Sequence, residues 1–186
     1  IARYDGVSLW MPATEAPPQG LEWKGMHTDV TWSPDGRYVV TVMQENALHG
    51  WRLADGKHMR MTGYPSKVRS VSWSAKGRFL ATAGADAAVL WPFHSKDGPM
   101  GKAPTELGHR PVLAHRVACH PTDEIVAVGY ADGAVDVVRI ADAAAVRLRE
   151  PGDGPVSALT WGDDGLTLVF GTEGGAAGVI DIGAEG

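Results

Sequence analysis

Short segments in which apolar and polar residues alternate recur along the chain, each closed by a turn rich in glycine, aspartate or serine. Asp29-Val30-Thr31-Trp32, Arg69-Ser70-Val71-Ser72-Trp73, Arg116-Val117-Ala118-Cys119 and Ser157-Ala158-Leu159-Thr160-Trp161 are four such segments. The turns that follow them are Ser33-Pro34-Asp35-Gly36, Ser74-Ala75-Lys76-Gly77, His120-Pro121-Thr122-Asp123 and Gly162-Asp163-Asp164-Gly165. After each turn comes an apolar, β-branched run, such as Tyr38-Val39-Val40-Thr41-Val42 or Leu168-Val169-Phe170. A second turn follows at Glu45-Asn46, Ala85-Asp86, Ala131-Asp132-Gly133 and Glu173-Gly174-Gly175, and a third strand then ends near Trp51, Trp91, Val137 and Val179. The period of two predicts strands throughout, and no stretch has the 3.6-residue spacing of a helix.

The turn phrase returns at a period of about 41–46 residues, the length of one four-stranded blade of a β-propeller. A β-sandwich also has short strands and frequent turns, but it has no reason to repeat one phrase at one spacing. The expected fold is therefore all-β, an incomplete propeller of four-stranded antiparallel blades with about four and a half present. Residues 1–24 are expected to supply the end of strand b, strand c, a linker and strand d of a partial blade. Residues 25–62, 63–107 and 108–150 each supply a blade, and 151–186 a blade without its outer strand. Two Pro/Gly-rich linkers, residues 12–20 and 94–104, join strand c to strand d. Blades cannot bury both faces alone. The chain therefore reads as the C-terminal portion of a longer propeller, or as an open arc closed by a second copy.

Trp-Ser-Pro-Asp-Gly-Arg at 32–37, Trp-Ser-Ala-Lys-Gly-Arg at 73–78, Gly108-His109 and the third-strand tryptophans Trp10, Trp51 and Trp91 resemble the WD-repeat family over nearly the whole chain. The family's closing Trp-Asp is absent, because Met11, Arg52 and Pro92 follow the tryptophans, and Met26 interrupts the Gly-His pair in Gly25-Met26-His27. Blades lacking the full hydrogen-bond network of the family are expected to lean on packing by Trp32, Trp73, Trp161 and Phe170. The resemblance implies a rigid ring of loops that binds a protein or peptide on its narrow face, around the start of strand a and the b–c turn. Alignment puts Met26, Thr28, Lys67, Arg69, Leu113, His115, Pro155 and Ser157 at the first kind of position, and Tyr4, Glu45, Ala85, Ala131 and Glu173 at the second. Tyr4, Met26, Arg69 and His115 suit interface anchors, whereas Lys67, Glu45 and Glu173 are singly ordinary solvated charges. The expected partner-binding face is thus Tyr4, Met26, Thr28, Glu45, Lys67, Arg69, Leu113, His115, Ser157 and Glu173.

Composition narrows the choice of partner. The net charge is −5 and lysine and arginine are scattered, without the basic stripe a nucleic-acid surface needs. Apolar runs are strand-sized, far below the roughly 20 residues of a membrane-spanning helix. One cysteine, Cys119, excludes an internal disulfide and fits a reducing, cytoplasmic setting. Abundant alanine, glycine, valine and arginine suggest a bacterial, GC-rich source.

Catalysis finds little support. His109, His115 and His120 invite a metal, yet His115 and His120 lie an odd number of residues apart on one strand and so point to opposite faces. No thiolate or carboxylate cluster completes a set. The axial strands offer Asp29, Arg69, His115 and Arg116, with one carboxylate and no acid–base pair. No Gly-rich phosphate loop or Gly-x-Ser-x-Gly elbow is present. The expectation is a non-catalytic scaffold or adaptor with no cofactor and no metal. The alternative is a propeller enzyme or small-ligand binder whose axial channel is completed by residues outside this sequence.

Overall fold

The structure, a computed structural model, describes residues 1–183, and among these every regular element is a β-strand. The chain divides into two compact units, Ile1–Val68 and Arg69 onwards.

The N-terminal unit contains β1 (Ala2–Leu9), β2 (Gln19–Trp32), β3 (Tyr38–Met43), β4 (Leu48–Arg52) and β5 (His58–Met61), hydrogen-bonded in chain order and antiparallel. β2 is unusually long because it serves two partners. Its first part, from Gln19 to Met26, pairs with β1, and the part from His27 to Trp32 pairs with β3. The strand turns at Gly25, whose φ of +125° only glycine adopts readily. A Cβ there would lie 2.9 Å from the Met43 side chain, and the amide is held by the Asp5 carboxylate at 2.8 Å. Val7 and Leu21, a cross-strand pair, pack with Val39 and Trp51, so the β1–β2 ribbon folds onto the face of β3 and β4.

His27, beside Met26, makes a buried contact with a hydroxyl in this sheet. Its Nε2–H donates to the carbonyl of Trp23 at 2.9 Å, and its Nδ1 lies 2.7 Å from the Thr41 hydroxyl, which also reaches the His49 carbonyl at 3.1 Å. The Trp51 ring lies 5.7 Å away. The register shift between His27 and Asp29 recurs between Ala114 and Arg116 and between Val156 and Ala158, so the bulge belongs to the repeat. Trp32, by contrast, is half exposed rather than filling space between sheets. It ends β2 beside Trp10, Met11 and Leu53 in a groove of about 570 Å³. The apolar contact it was expected to find inside the fold is made at the surface.

The second unit holds three sheets. These are β6 (Val71–Trp73), β7 (Phe79–Thr82), β8 (Ala88–Pro92) and β9 (Thr105–Leu107); β10 (Ala114–Cys119), β11 (Ile125–Tyr130), β12 (Val135–Arg139) and β13 (Ala145–Arg149); and β14 (Val156–Trp161), β15 (Thr167–Thr172) and β16 (Ala177–Asp181). All pairings are antiparallel. Period-two burial on β11 explains the stacking. Val126, Val128 and Tyr130 meet Ala81, Ala83, Leu90 and Leu107 of the preceding sheet, while Ala127 faces Val156 and Leu168 of the following one. The second interface is built small against large. A Cβ on Gly129 would sit 2.6 Å from Val156, so glycine is what admits the valine.

The innermost strands are also tied by side chains. The Val117 amide donates to the Ser70 hydroxyl at 3.1 Å and the Cys119 amide to Ser72 at 2.9 Å, so β10 is bound to β6 and the residues just before it. On the other side, Trp161 Nε1 donates to the carbonyl of Ala118 at 2.9 Å. His120 Nε2–H donates to the Gly165 carbonyl at 2.7 Å, and its Nδ1 accepts from the amides of Thr122 and Asp123. Trp161→Phe, which leaves the Ala118 carbonyl without that donor, is expected to lower stability by about 1–2 kcal/mol in chemical denaturation. Four antiparallel sheets of three to five strands make this an incomplete β-propeller with open blades. No fourth strand flanks β16 among the described residues, and Val179 on it is 66% exposed.

Candidate functional site

At the end that carries the turn between the second and third strands, three of the four sheets share one backbone bond. The amides of Gln44, Ala131 and Glu173, just beyond the second strand, donate at 2.8 Å to the carbonyls of Met26, Leu113 and Pro155. Those three residues therefore occupy equivalent positions at the entry to the first strand. This repeated clip fixes the loops on which the candidate residues stand.

In the N-terminal unit the structure brings Tyr4, Met26 and Glu45 together. Tyr4 and Met26 are direct cross-strand partners, 68% and 49% exposed. Tyr4 and Glu45 line a cleft of about 790 Å³ with Asp5, Trp23, Met43 and Arg60. Asp5 shapes the cleft because its own backbone is left-handed, at φ 60°, and its carboxylate braces Gly25. Arg3 and Glu22 form an ion pair on the same ribbon. Thr28 lies on β2 and donates to the Val42 carbonyl at 3.2 Å, and Lys67 is exposed beyond β5. Trp23 and Arg60 are site residues that sequence reasoning missed. Nothing in their spacing distinguishes them from ordinary strand residues.

Behind the cleft, Trp23 stacks on His49 at 4.0 Å, with the Trp51 ring edge-on to His49 at 4.7 Å and the His58 ring at 5.3 Å. His49 is fully buried, and neither ring nitrogen has a hydrogen-bond partner. Burial, reinforced by the charges of His58, His27 and Arg60, pushes its pKa down to about 3.

In the second unit Arg69, His115, Ser157 and Glu173 converge around Arg116. The Arg116 guanidinium is pinned by carbonyls, with Nε donating to Ser157 at 2.7 Å and Nη1 to His115 at 2.9 Å and to Arg69 at 3.4 Å. Burial and the Arg69 charge lower the pKa of both His115 and Arg116, and Glu173 opposes them. Leu113 is partly buried next to them. The surrounding loops are laced by two further arginines. Arg110 donates to Asp132 at 2.6 Å, and Arg149 binds the carbonyls of Gly133 and Gly152 and the Asp153 carboxylate. Asp136, nearly buried, accepts from Arg147; burial raises its carboxyl and Arg110 works the other way.

Among the described residues no group of three or more histidine, cysteine or acidic side chains could hold a metal. Both nitrogens of His120 are engaged by the backbone. His109 is exposed between Asp86 and Glu106 at 3.7 and 3.4 Å. Cys119 bonds the Ser72 carbonyl, and burial pushes its thiol up to about 12, so it is a packing residue and a poor nucleophile. No helix among the described residues is long and apolar enough to cross a membrane.

Comparison with known proteins agrees with the geometry. Residues 57–90 match the family described as WD domain, G-beta repeat. The chain is 30% identical over 95 residues, 48% of its length, to Cell division cycle 20.1, cofactor of APC complex, from Arabidopsis thaliana. It is 31% identical over 80 residues, 41% of its length, to WD repeat-containing protein 1-B from Xenopus laevis. The matched segments cover 20% and 13% of those two proteins. With the repeated antiparallel sheets, these matches support a WD-repeat family.

Proposed function

We propose that this chain is a non-catalytic scaffold that docks a protein or peptide on the loops at the entry to the first strand of each sheet. The observation that carries this reading is the pinned Arg116 cluster, where Arg69, His115, Ser157 and Glu173, drawn from three consecutive sheets, meet at one place. Such convergence on backbone that is clipped and laced by ion pairs presents a preorganised surface, which limits the ordering cost of binding. The cleft under Tyr4 and Glu45, with Met26 beside it, is the second contact region. Similarity to a protein named as a cofactor of a complex favours a role in assembly. Tyr4, Met26, Thr28, Glu45, Lys67, Arg69, Leu113, His115, Ser157 and Glu173 form the proposed docking set, in a cytoplasmic setting. Further blades, or a second copy, cover the open face of the β14–β16 sheet.

The test is quantitative capture of proteins from the source cell by the full-length protein and by its Tyr4→Ala/Arg69→Ala double variant. The double variant is expected to lose specific partners at least tenfold while its melting temperature is unchanged. Equal capture by both proteins would remove the site assignment.

A further inference from the structure

We propose that Arg69 and Arg116, with His115 beside them, form a receptor for one anionic side chain of a protein partner, a carboxylate or a phosphorylated residue. This deepens the docking reading above and rests on it.

The argument starts from which arginines at this end of the second unit have counter-ions. Arg110 is paired with Asp132 at 2.6 Å and Arg149 with Asp153 at 2.7 Å. Arg69 and Arg116 make no ion pair with any described residue. Arg116 instead spends Nε and Nη1 on three neutral carbonyls. These orient the guanidinium without neutralising it, and Nη2 is left without a bond to the described residues. One of those carbonyls is that of Arg69, so the Arg69 backbone lies 3.4 Å from the Arg116 guanidinium. Arg69 is exposed, so its side chain is available to close on an incoming group.

Two guanidiniums and an imidazole near one another repel, and among the described residues Glu173 is the carboxylate that acts on His115 and Arg116. Burial and mutual repulsion together disfavour the charged forms of Arg116 and His115, a cost that an anion seated between them would relieve. Planar, fixed guanidinium groups match a carboxylate or phosphate in a two-pronged geometry. The chain carries net charge −5 with its basic residues scattered. An isolated receptor for one anion therefore fits the charge distribution better than a track for a polyanion.

The experiment follows the Arg116 Nε–Hε and His115 ring resonances of the full chain by NMR at constant ionic strength. The probes are inorganic phosphate and three short peptides carrying one glutamate, one phosphoserine or alanine in their place. Saturable shifts are expected with phosphate and with the acidic peptides, in the millimolar range for such minimal probes, and none with the alanine peptide. The glutamate and phosphoserine arms decide which anion is preferred. Arg69→Glu is expected to weaken binding at least tenfold, while Lys76→Glu, on a turn at the opposite end of its sheet, leaves it within threefold. Absence of saturation, equal weakening by both variants, or binding of phosphate without the acidic peptides overturns the proposal. A single-stranded oligonucleotide that outcompetes the peptides overturns it in favour of a nucleic acid. If Arg69→Ala abolishes partner capture but no anion competes with the partner, docking stands and the anion receptor falls. If the anions bind and Arg69→Ala leaves capture unchanged, the receptor stands and the docking reading falls.

Discussion

Lowering the pH from about 7 to about 5 is expected to cost about 2 kcal/mol of stability through His49 alone, measured as the difference in unfolding free energy between the wild type and His49→Phe. The folded-state pKa of about 3 lies below the ordinary value of 6.5, so the folded state binds fewer protons than the unfolded one. The stabilising contribution is therefore complete above about pH 6.5 and is lost as the pH falls towards 3, at about 1.4 kcal/mol per unit. The structural cause is specific. His49 sits between the Trp23 and His58 rings with the edge of Trp51 against it, and neither nitrogen has a partner to share a charge. Phenylalanine keeps the stack and removes both unpartnered nitrogens, so the variant should be close to neutral at pH 7 and markedly less acid-sensitive. Parallel pH profiles for the two proteins would show that His49 does not carry the effect.

Gly133→Ala is expected to destabilise by about 3–4 kcal/mol. The backbone there has φ +89°, where an alanine costs about 1–2 kcal/mol. The larger share comes from space. A Cβ would collide with the Gly152 carbonyl and lie 2.7 Å from that of Gly154. The Gly152 carbonyl cannot yield cheaply, because the Gly152 amide is bound to Asp132 at 2.8 Å and its oxygen accepts from Arg149 at 3.1 Å. Gly36→Ala is the matched control. Its φ is +70°, yet nothing lies within 4 Å of the added methyl, so about 1 kcal/mol is expected. Urea melts of the two variants separate strain from collision. Equal losses would mean that the loop between β13 and β14 moves aside.

Which of these features could be read from the sequence follows from how local they are. The strands were legible because alternation and turn chemistry are written in neighbouring residues, as in Val39-Val40-Thr41-Val42 between its two turns. His27 was obscured because Met26 breaks the Gly-His spacing, and its contact with Thr41 is made across strands, 14 residues away in the sequence. Trp32 was misjudged for a related reason. A tryptophan at the end of a strand looks the same whether the next layer covers it or, as here, it stays half exposed beside Trp10. Candidate residues such as Arg69 and His115 were found by their place in the repeat. What Arg116 does with them was not legible, because its acceptors, Arg69 and Ser157, stand 47 and 41 residues away.

The serine ties between innermost strands carry a consequence for synthesis on the ribosome. Ser70 and Ser72 meet the amides of Val117 and Cys119 only after 47 more residues have been added. Until then, β6 and its neighbours present Ala81, Ala83 and Leu90 without the layer that buries them. The nascent chain must therefore close vectorially, each blade remaining adhesive until its successor emerges. A pause once Leu107 has emerged from the ribosome would prolong that exposure, whereas one once Arg149 has emerged would find the β6–β9 face already covered.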